Sequence, residues 1–253
     1  MKKHSFNTLT DFYSDVKNHI GHFRYVQYEN YDRPNFEGLS KSEIYQSKFS
    51  YDIGVHELEK LNKVKFVQPK WEKYRNTFDG YDIDLERMYE GQNFLINRRK
   101  RRNLPKTADI FVSLAEPAKV TYNELLMKSY TALRIIDQLE SQGVRTAVYV
   151  FNAIETRGLR PNFELYVEVC VKDYTQHANI AALSTAISPW MLRRWMFLWV
   201  RGYYPVSTGL GSPLHIRKEN FPKGSIVINQ GECLSQYSAN RFIENINISK
   251  HAE

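Results

Sequence analysis

The sequence predicts an α/β fold: an open, mostly parallel β-sheet flanked by helices, preceded by an N-terminal helical arm. Three observations carry this expectation. TADIFVSLA (107–115) is a β-branched and aromatic apolar run, as expected of a strand buried on both faces. It is followed by the helical pattern TYNELLMKSYTALRIIDQLESQG and then by a second buried run, VRTAVYVFNAI (144–154), which together make a right-handed βαβ unit with parallel strands. A third run, 163–173, comes after Gly158 and Pro161 with no helix between, so it should fold back antiparallel on the second as a hairpin.

The elements follow in order. Residues 1–106 form the expected arm, rich in Tyr, Asn, Lys and Asp. In SFNTLTDFYSDVKNHI, Thr8 or Thr10 can cap a helix that shows Phe12, Val16 and Ile20 on one face. Ser40 and Glu43 form a capping box, and Val55, Leu58 and Leu61 mark a second helix. DIDLERMYEGQ reads as a short helix stopped near Gly91, leading into the extended NFLI. Residues 97–106 are a basic connector to the core, 107–253.

Within the core, Thr121 and Glu124 make a capping box, Leu125, Leu126, Ser129, Leu133, Ile136 and Leu139 line one helical face, and Gly143 supplies the left-handed stop. HANIAALSTAI is a helix ended before Pro189, and Pro189 is tolerated at the start of the next, PWMLRRWMFLWVR. GSIVINQ is a further strand and SANRFIENIN a closing helix. The order β-α-β-β-α-α-β-α gives an open, Rossmann-like sheet, with helices expected on both faces.

Composition bounds the class. A chain with 42% hydrophobic and 14% aromatic residues can pack a sizeable core, which excludes disorder throughout. The net charge of +7 favours an anionic partner without specifying one. Two cysteines, Cys170 and Cys233, are too few for a disulfide framework or a four-thiolate metal site, and Cys170 sits in an apolar strand as a small hydrophobe. A reducing, intracellular setting is expected. The N-terminus lacks the apolar stretch of a signal peptide, and PWMLRRWMFLWVRGYY is too short and too charged to span a bilayer, so no membrane association is expected.

The strand order, with a hairpin directly after the first βαβ unit, resembles the von Willebrand factor A-type fold. NFEGLSKSEIYQSKFSYDIGVHELEKL, DGYDIDLERMYEGQNFLI, SYTALRIIDQLESQGVRTAVYVF and SPWMLRRWMF also run in the order found in an uncharacterised family of phage and mobile-element proteins. In that family a gG-x-D-v…GeP-x-C-M segment precedes an A-like core and a P-x-x-LRR helix follows it. The resemblance spans residues 35–245 and implies a phage or mobile-element origin, in the host cytoplasm or a virion, with no known activity. An A-type core holds Mg²⁺ through Asp-x-Ser-x-Ser at the tip of its first strand, where hard oxygen ligands suit the ion. The corresponding positions here are Ser113, Ala115 and Pro117, so the carboxylate is missing, with Asp109 within the strand and Glu116 one position out of step. No metal and no other cofactor is expected.

Other chemistry is sparse. STGLGSP (207–213) has G-x-G but neither the Lys nor the helix of a phosphate loop. His19 and His22 are three apart, with Gly21 between them and no ligating partner at metal spacing. Asp79, Asp82, Asp84 and Glu86 could chelate a cation for a nuclease, but helix capping explains them as well. No catalytic residue is assigned, and an enzyme is not expected.

What remains is surface. Arg98, Arg99, Lys100, Arg101 and Arg102 are five consecutive cations, with Lys106 close behind and Arg193 and Arg194 in a later helix. Crowded cations repel and are relieved best by an anion. Nucleic-acid phosphates, an acidic patch on a protein neighbour (a second copy included) and plain solvation all fit the run. Trp190, Trp195 and Trp199 sit on one later helix, which either covers the sheet or offers an apolar docking patch. The expected function is therefore non-enzymatic binding or assembly through contacts with other protein subunits, with a nucleic-acid-binding accessory role as the alternative.

Overall fold

A computed structural model describes residues 1–19, 76–77, 82–83, 88, 95–96, 106–156, 163–204 and 211–246. Its strands are β1 (Lys2–Phe6), β2 (Asn76–Thr77), β3 (Asp82–Ile83), β4 (Leu95–Ile96), β5 (Thr107–Ser113), β6 (Arg145–Glu155), β7 (Glu164–Lys172), β8 (Ser212–Pro213) and β9 (Ile226–Ile228). Its α-helices, in our numbering, are α1 (Leu9–His19), α2 (Tyr122–Ser141), α3 (Ile180–Ala186), α4 (Phe197–Tyr203) and α5 (Gln236–Asn245).

The main sheet has the order β1-β7-β6-β5-β9, with β8 pairing against the end of β6. The β5–β6, β5–β9 and β1–β7 pairs are parallel, and β6–β7 is antiparallel. The expected βαβ unit and the fold-back of the third strand are therefore present. The capping box forms as read: the Thr121 hydroxyl accepts from the Glu124 N–H and Glu124 accepts from the Thr121 N–H. Gly143 adopts a φ of +81°, a conformation that costs glycine little, just after α2 ends.

One face of the sheet carries the helices. Ile110, Val112, Val148, Val150, Val167 and Val169 point to it, against Leu133, Ile136 and Leu139 of α2, and α1, α3, α4 and α5 add to the same cluster. Each such aliphatic side chain contributes about 1.5–3 kcal/mol by leaving water. Alternate residues Phe111, Phe151 and Tyr166 point to the other face, where Ile216 and Phe221 cover them. Helices on both faces were expected. Among the described residues α1 to α5 share one face, and the segment around the 3₁₀ turn Lys218–Asn220 lies on the other.

The first residues differ most from expectation. β1 pairs with β7, from Lys2↔Leu165 to Phe6↔Val169, and Phe12 and Val16 of α1 are buried in the main core. Residues 1–19 are thus part of the sheet and its helical layer rather than an arm. The edge strand KKHSF is mostly polar, and only His4 and Phe6 turn inward. Farther on, β4 lies in the expected extended NFLI and pairs with β2 and β3. Asp82–Ile83 is strand where a helix was read, and Met88 is helical. The helices read at 40–61 lie outside the described residues.

The helix expected from Pro189 starts there and continues through a π-helical segment, Met191–Met196, after which the Phe197 N–H reaches the Leu192 carbonyl. Gly211, with φ +90°, lies so close to the Glu155 carbonyl that a Cβ would collide with it, which lets β8 join the end of β6. Gly211, of the loop read at 207–213, thus has a steric role.

Two carboxylates tether the layers, one through an ion pair and one through hydrogen bonds from neutral donors. At the start of β6, Glu140 accepts from the Lys172 ammonium at 2.7 Å and from the Thr146 hydroxyl at 2.6 Å. Between α1 and α4, Asp15 accepts from Trp199 Nε1 at 2.7 Å and from the Tyr203 hydroxyl at 2.9 Å. Burial pushes the Glu140 carboxyl up, but its bonds to Lys172 and Thr146 outweigh this and hold it below its usual 4.5. Burial, partly opposed by Asp15, lowers His4 below 6.5. Both groups bind fewer protons folded than unfolded, so their contribution is complete above the unfolded value and is lost as pH falls through the folded one. Urea unfolding should therefore show stability declining from pH 6.5 downward, with a further loss below pH 4.5. Glu140→Gln should flatten the lower limb, and an unchanged profile would contradict this assignment.

Candidate functional site

In an open α/β sheet the crevice beyond the carboxyl ends of the strands, where the order reverses, is the usual place for a ligand. Here that point lies beyond β5 and β9, since α2 carries the chain from β5 to β6 on one side and β9 flanks β5 on the other. A buried lysine fills it. Lys128 stands on the apolar stripe of α2, and its side chain is 2% exposed. Its ammonium donates to the Ser113 carbonyl at the tip of β5 (3.3 Å), to the Asn229 carbonyl just past β9 (2.8 Å), and to the Glu116 carboxylate. An ammonium has three N–H donors, so all are used.

The carboxylate is equally enclosed. The Glu116 side chain is 1% exposed and also accepts from the Gly231 N–H, at 2.9 and 3.1 Å to its two oxygens. Around it, the Asn229 N–H donates to Glu232 at 2.7 Å, and the Asn229 side-chain amide donates to the Ile216 carbonyl. Burial lowers the Lys128 ammonium below the ordinary lysine range, with Glu116 opposing. Burial pushes the nearby Cys233 thiol up to about 12, reinforced by Glu232, so the sulfur stays protonated and a poor nucleophile near neutral pH. Cys170 is buried and its thiol is likewise raised, by burial first.

Glu116 pairs with a cation supplied by the chain itself, at the tip of the strand bearing Ser113. Lys128 had a readable signal, a lysine between Leu125 and Ala132 on an otherwise apolar stripe. Asn229 had none, because its carbonyl meets Lys128 and its side-chain amide meets Ile216 only through the fold.

The other sequence-predicted residues are placed as follows. Trp195 and Trp199 are each 1% exposed and belong to the main core, with Tyr13 4.2 Å from Trp195 and Tyr203 4.6 Å from Trp199 between ring centres. That burial corrects the docking-patch reading for these two, and Trp190 is half-buried. Arg193 and Arg194 belong to the π-helical segment, and their side chains lie outside the described residues. Arg98, Arg99, Lys100, Arg101 and Arg102 also lie outside them, as do Asp79, Asp84, Glu86 and His22, while Asp82 is in β3. Lys106 is half-buried, its carbonyl accepting from the Arg145 N–H at 2.7 Å. Asp109 lies on the face of the sheet opposite the helices and accepts from the Tyr174 hydroxyl. His19 packs on Tyr203 beside Asp15. Among the described residues no three His, Cys, Asp or Glu side chains converge as a metal site, and no helix is long and apolar enough to cross a membrane.

The chain belongs to the family described as a domain of unknown function, DUF7192, whose model matches residues 2–250. No curated protein and no solved structure matches it.

Proposed function

We propose that this chain is a non-enzymatic binding and assembly module of a phage or mobile element, built on a von Willebrand A-like core that has replaced its metal with an internal ammonium. The observation that carries the reading is Lys128, held by Ser113, Glu116 and Asn229 at the strand tip. A fixed positive charge there repels a divalent cation and already satisfies the local oxygens, so neither adhesion through a metal nor metal-assisted hydrolysis is favoured. The sheet order, with an antiparallel strand after the first βαβ unit, is consistent with an A-like core. Binding would then depend on surfaces away from this tip.

Thermal unfolding followed with EDTA, and again with millimolar Mg²⁺ or Mn²⁺, tests the reading. The midpoint should stay within about 1 °C, whereas a ligand bound at 100 times its Kd would add about 2.7 kcal/mol. A divalent-dependent rise of several degrees would overturn the proposal. Affinity capture should return a defined protein partner in stoichiometric yield.

The five consecutive cations favour a second reading, a nucleic-acid-binding accessory protein. If each cation neutralises one phosphate of duplex DNA, replacing Arg98, Arg99, Lys100, Arg101 and Arg102 by Ala should flatten the log–log salt slope by roughly 4 to 5. An unchanged slope would remove the run from that role.

A further inference from the structure

Among the described residues, the sheet face opposite α1 to α5 carries a groove of about 410 Å³. Its floor is aromatic: Phe111 and Tyr149 stack with centres 4.7 Å apart and planes inclined by 11°, and Tyr166 extends the surface onto β7. Two carboxylates line it, Asp109 on β5 and Glu168 on β7. Asp109 accepts from the Tyr174 hydroxyl and Glu168 from the Tyr166 hydroxyl. Among the described residues neither carboxylate has a basic side chain within ion-pair distance, in a chain with 35 lysines and arginines against 28 acids. Burial pushes the Tyr149 hydroxyl up to about 12, so the floor between the acids stays neutral.

The register fixes their spacing. Asp109 is opposite Ala147 on β6, and Glu168 is opposite Phe151, four residues along the same strand. With two strand spacings between β5 and β7, the two Cα atoms are roughly 16 Å apart. One guanidinium cannot bridge that distance, but an extended segment with cations at i and i+4 spans about 13 Å between them, and long side chains make up the rest. Arginine suits the floor better than lysine, because its planar guanidinium stacks on rings while forking onto a carboxylate. Lys3 already holds its ammonium 5.1 Å from the Tyr166 ring centre, so this surface accommodates a cation.

We infer that this groove docks the basic run of a second copy of the chain, with Arg98 and Arg102, four apart, reaching Asp109 and Glu168 over the Phe111–Tyr149 shelf. The inference rests on the assembly reading above and names the partner. Charge complementarity selects the occupant: the run is the densest cationic stretch in the chain, and among the described residues the two groove carboxylates, bonded to tyrosine hydroxyls, are in no ion pair, with Lys3 the one lysine or arginine of the lining.

Sedimentation velocity on the full chain at low salt tests it by complementation. Wild type should self-associate with concentration, and both Arg98→Ala/Arg102→Ala and Asp109→Asn/Glu168→Gln should weaken association at least tenfold. Mixing the two variants should restore a heterodimer, because one keeps its groove and the other its run. Failure of the mixture to associate would overturn docking in trans, as would unchanged association of either variant. A strictly monomeric wild type that still captures another protein would overturn this inference while leaving the assembly reading intact. Circular dichroism melts of both variants, expected within a few degrees of wild type, exclude misfolding as the cause.

Discussion

Glu116→Ala is expected to lower the free energy of unfolding by about 3–5 kcal/mol, because it leaves the Lys128 ammonium enclosed without its counter-charge. The pair is deeply buried, at 2% and 1% exposure, and Lys128 bridges the tip of β5 to the residue following β9. Removing the carboxylate also strips the Gly231 N–H of its acceptor. The double substitution Lys128→Met with Glu116→Gln should recover most of the loss, since the ammonium is replaced by an apolar chain of similar length and the Gln oxygen still accepts from Gly231. Urea denaturation of wild type, single and double variants decides it. A cost below about 1 kcal/mol for Glu116→Ala would mean that water reaches the pair and the strand tip is open to ligands.

The second large effect is at Trp199. Trp199→Ala should cost about 3–5 kcal/mol, as expected for a large aromatic side chain removed from a packed core. Its ring contacts His4, Phe6 and Tyr203, and its Nε1 donates to Asp15, so one substitution loosens β1, α1 and α4 together. Trp199→Phe should retain about half of the stability by keeping the ring packing while losing the hydrogen bond. An exposed docking residue would behave differently, with stability within about 0.5 kcal/mol of wild type and loss only of partner affinity. Chemical denaturation measured beside binding separates the two outcomes.

What was legible in the sequence followed how strongly one local force dominated. β5, α2 and β6 were read because burial on both faces writes long β-branched runs, and because Thr121, Glu124 and Gly143 punctuate the helix chemically. The hairpin to β7 followed from the short connection. β1 was missed because an edge strand with three residues facing out resembles a polar tail. β8 was missed because two residues carry no period, and its position depends on contact between Gly211 and Glu155. Of the candidate site, the buried ion pair was not visible, because Glu116, Lys128 and Asn229 meet only through the fold. The groove was hidden for the same reason: Asp109, Tyr149 and Glu168 each read as a single polar or aromatic interruption in a strand.

The pairing of β1 with β7 has a consequence for how the molecule is made. A ribosome releases Lys2–Phe6 long before Glu164–Lys172 exists, so the opening strand must wait, unpartnered, while about 160 residues emerge. Closing so long a loop is entropically slow, and strand pairing at this separation belongs late in assembly. Until it forms, the flank of β7 is a bare row of peptide groups open to any extended chain nearby. The opening strand therefore covers the flank of β7 and moves the edge of the sheet to the short, charged segment KKHSF.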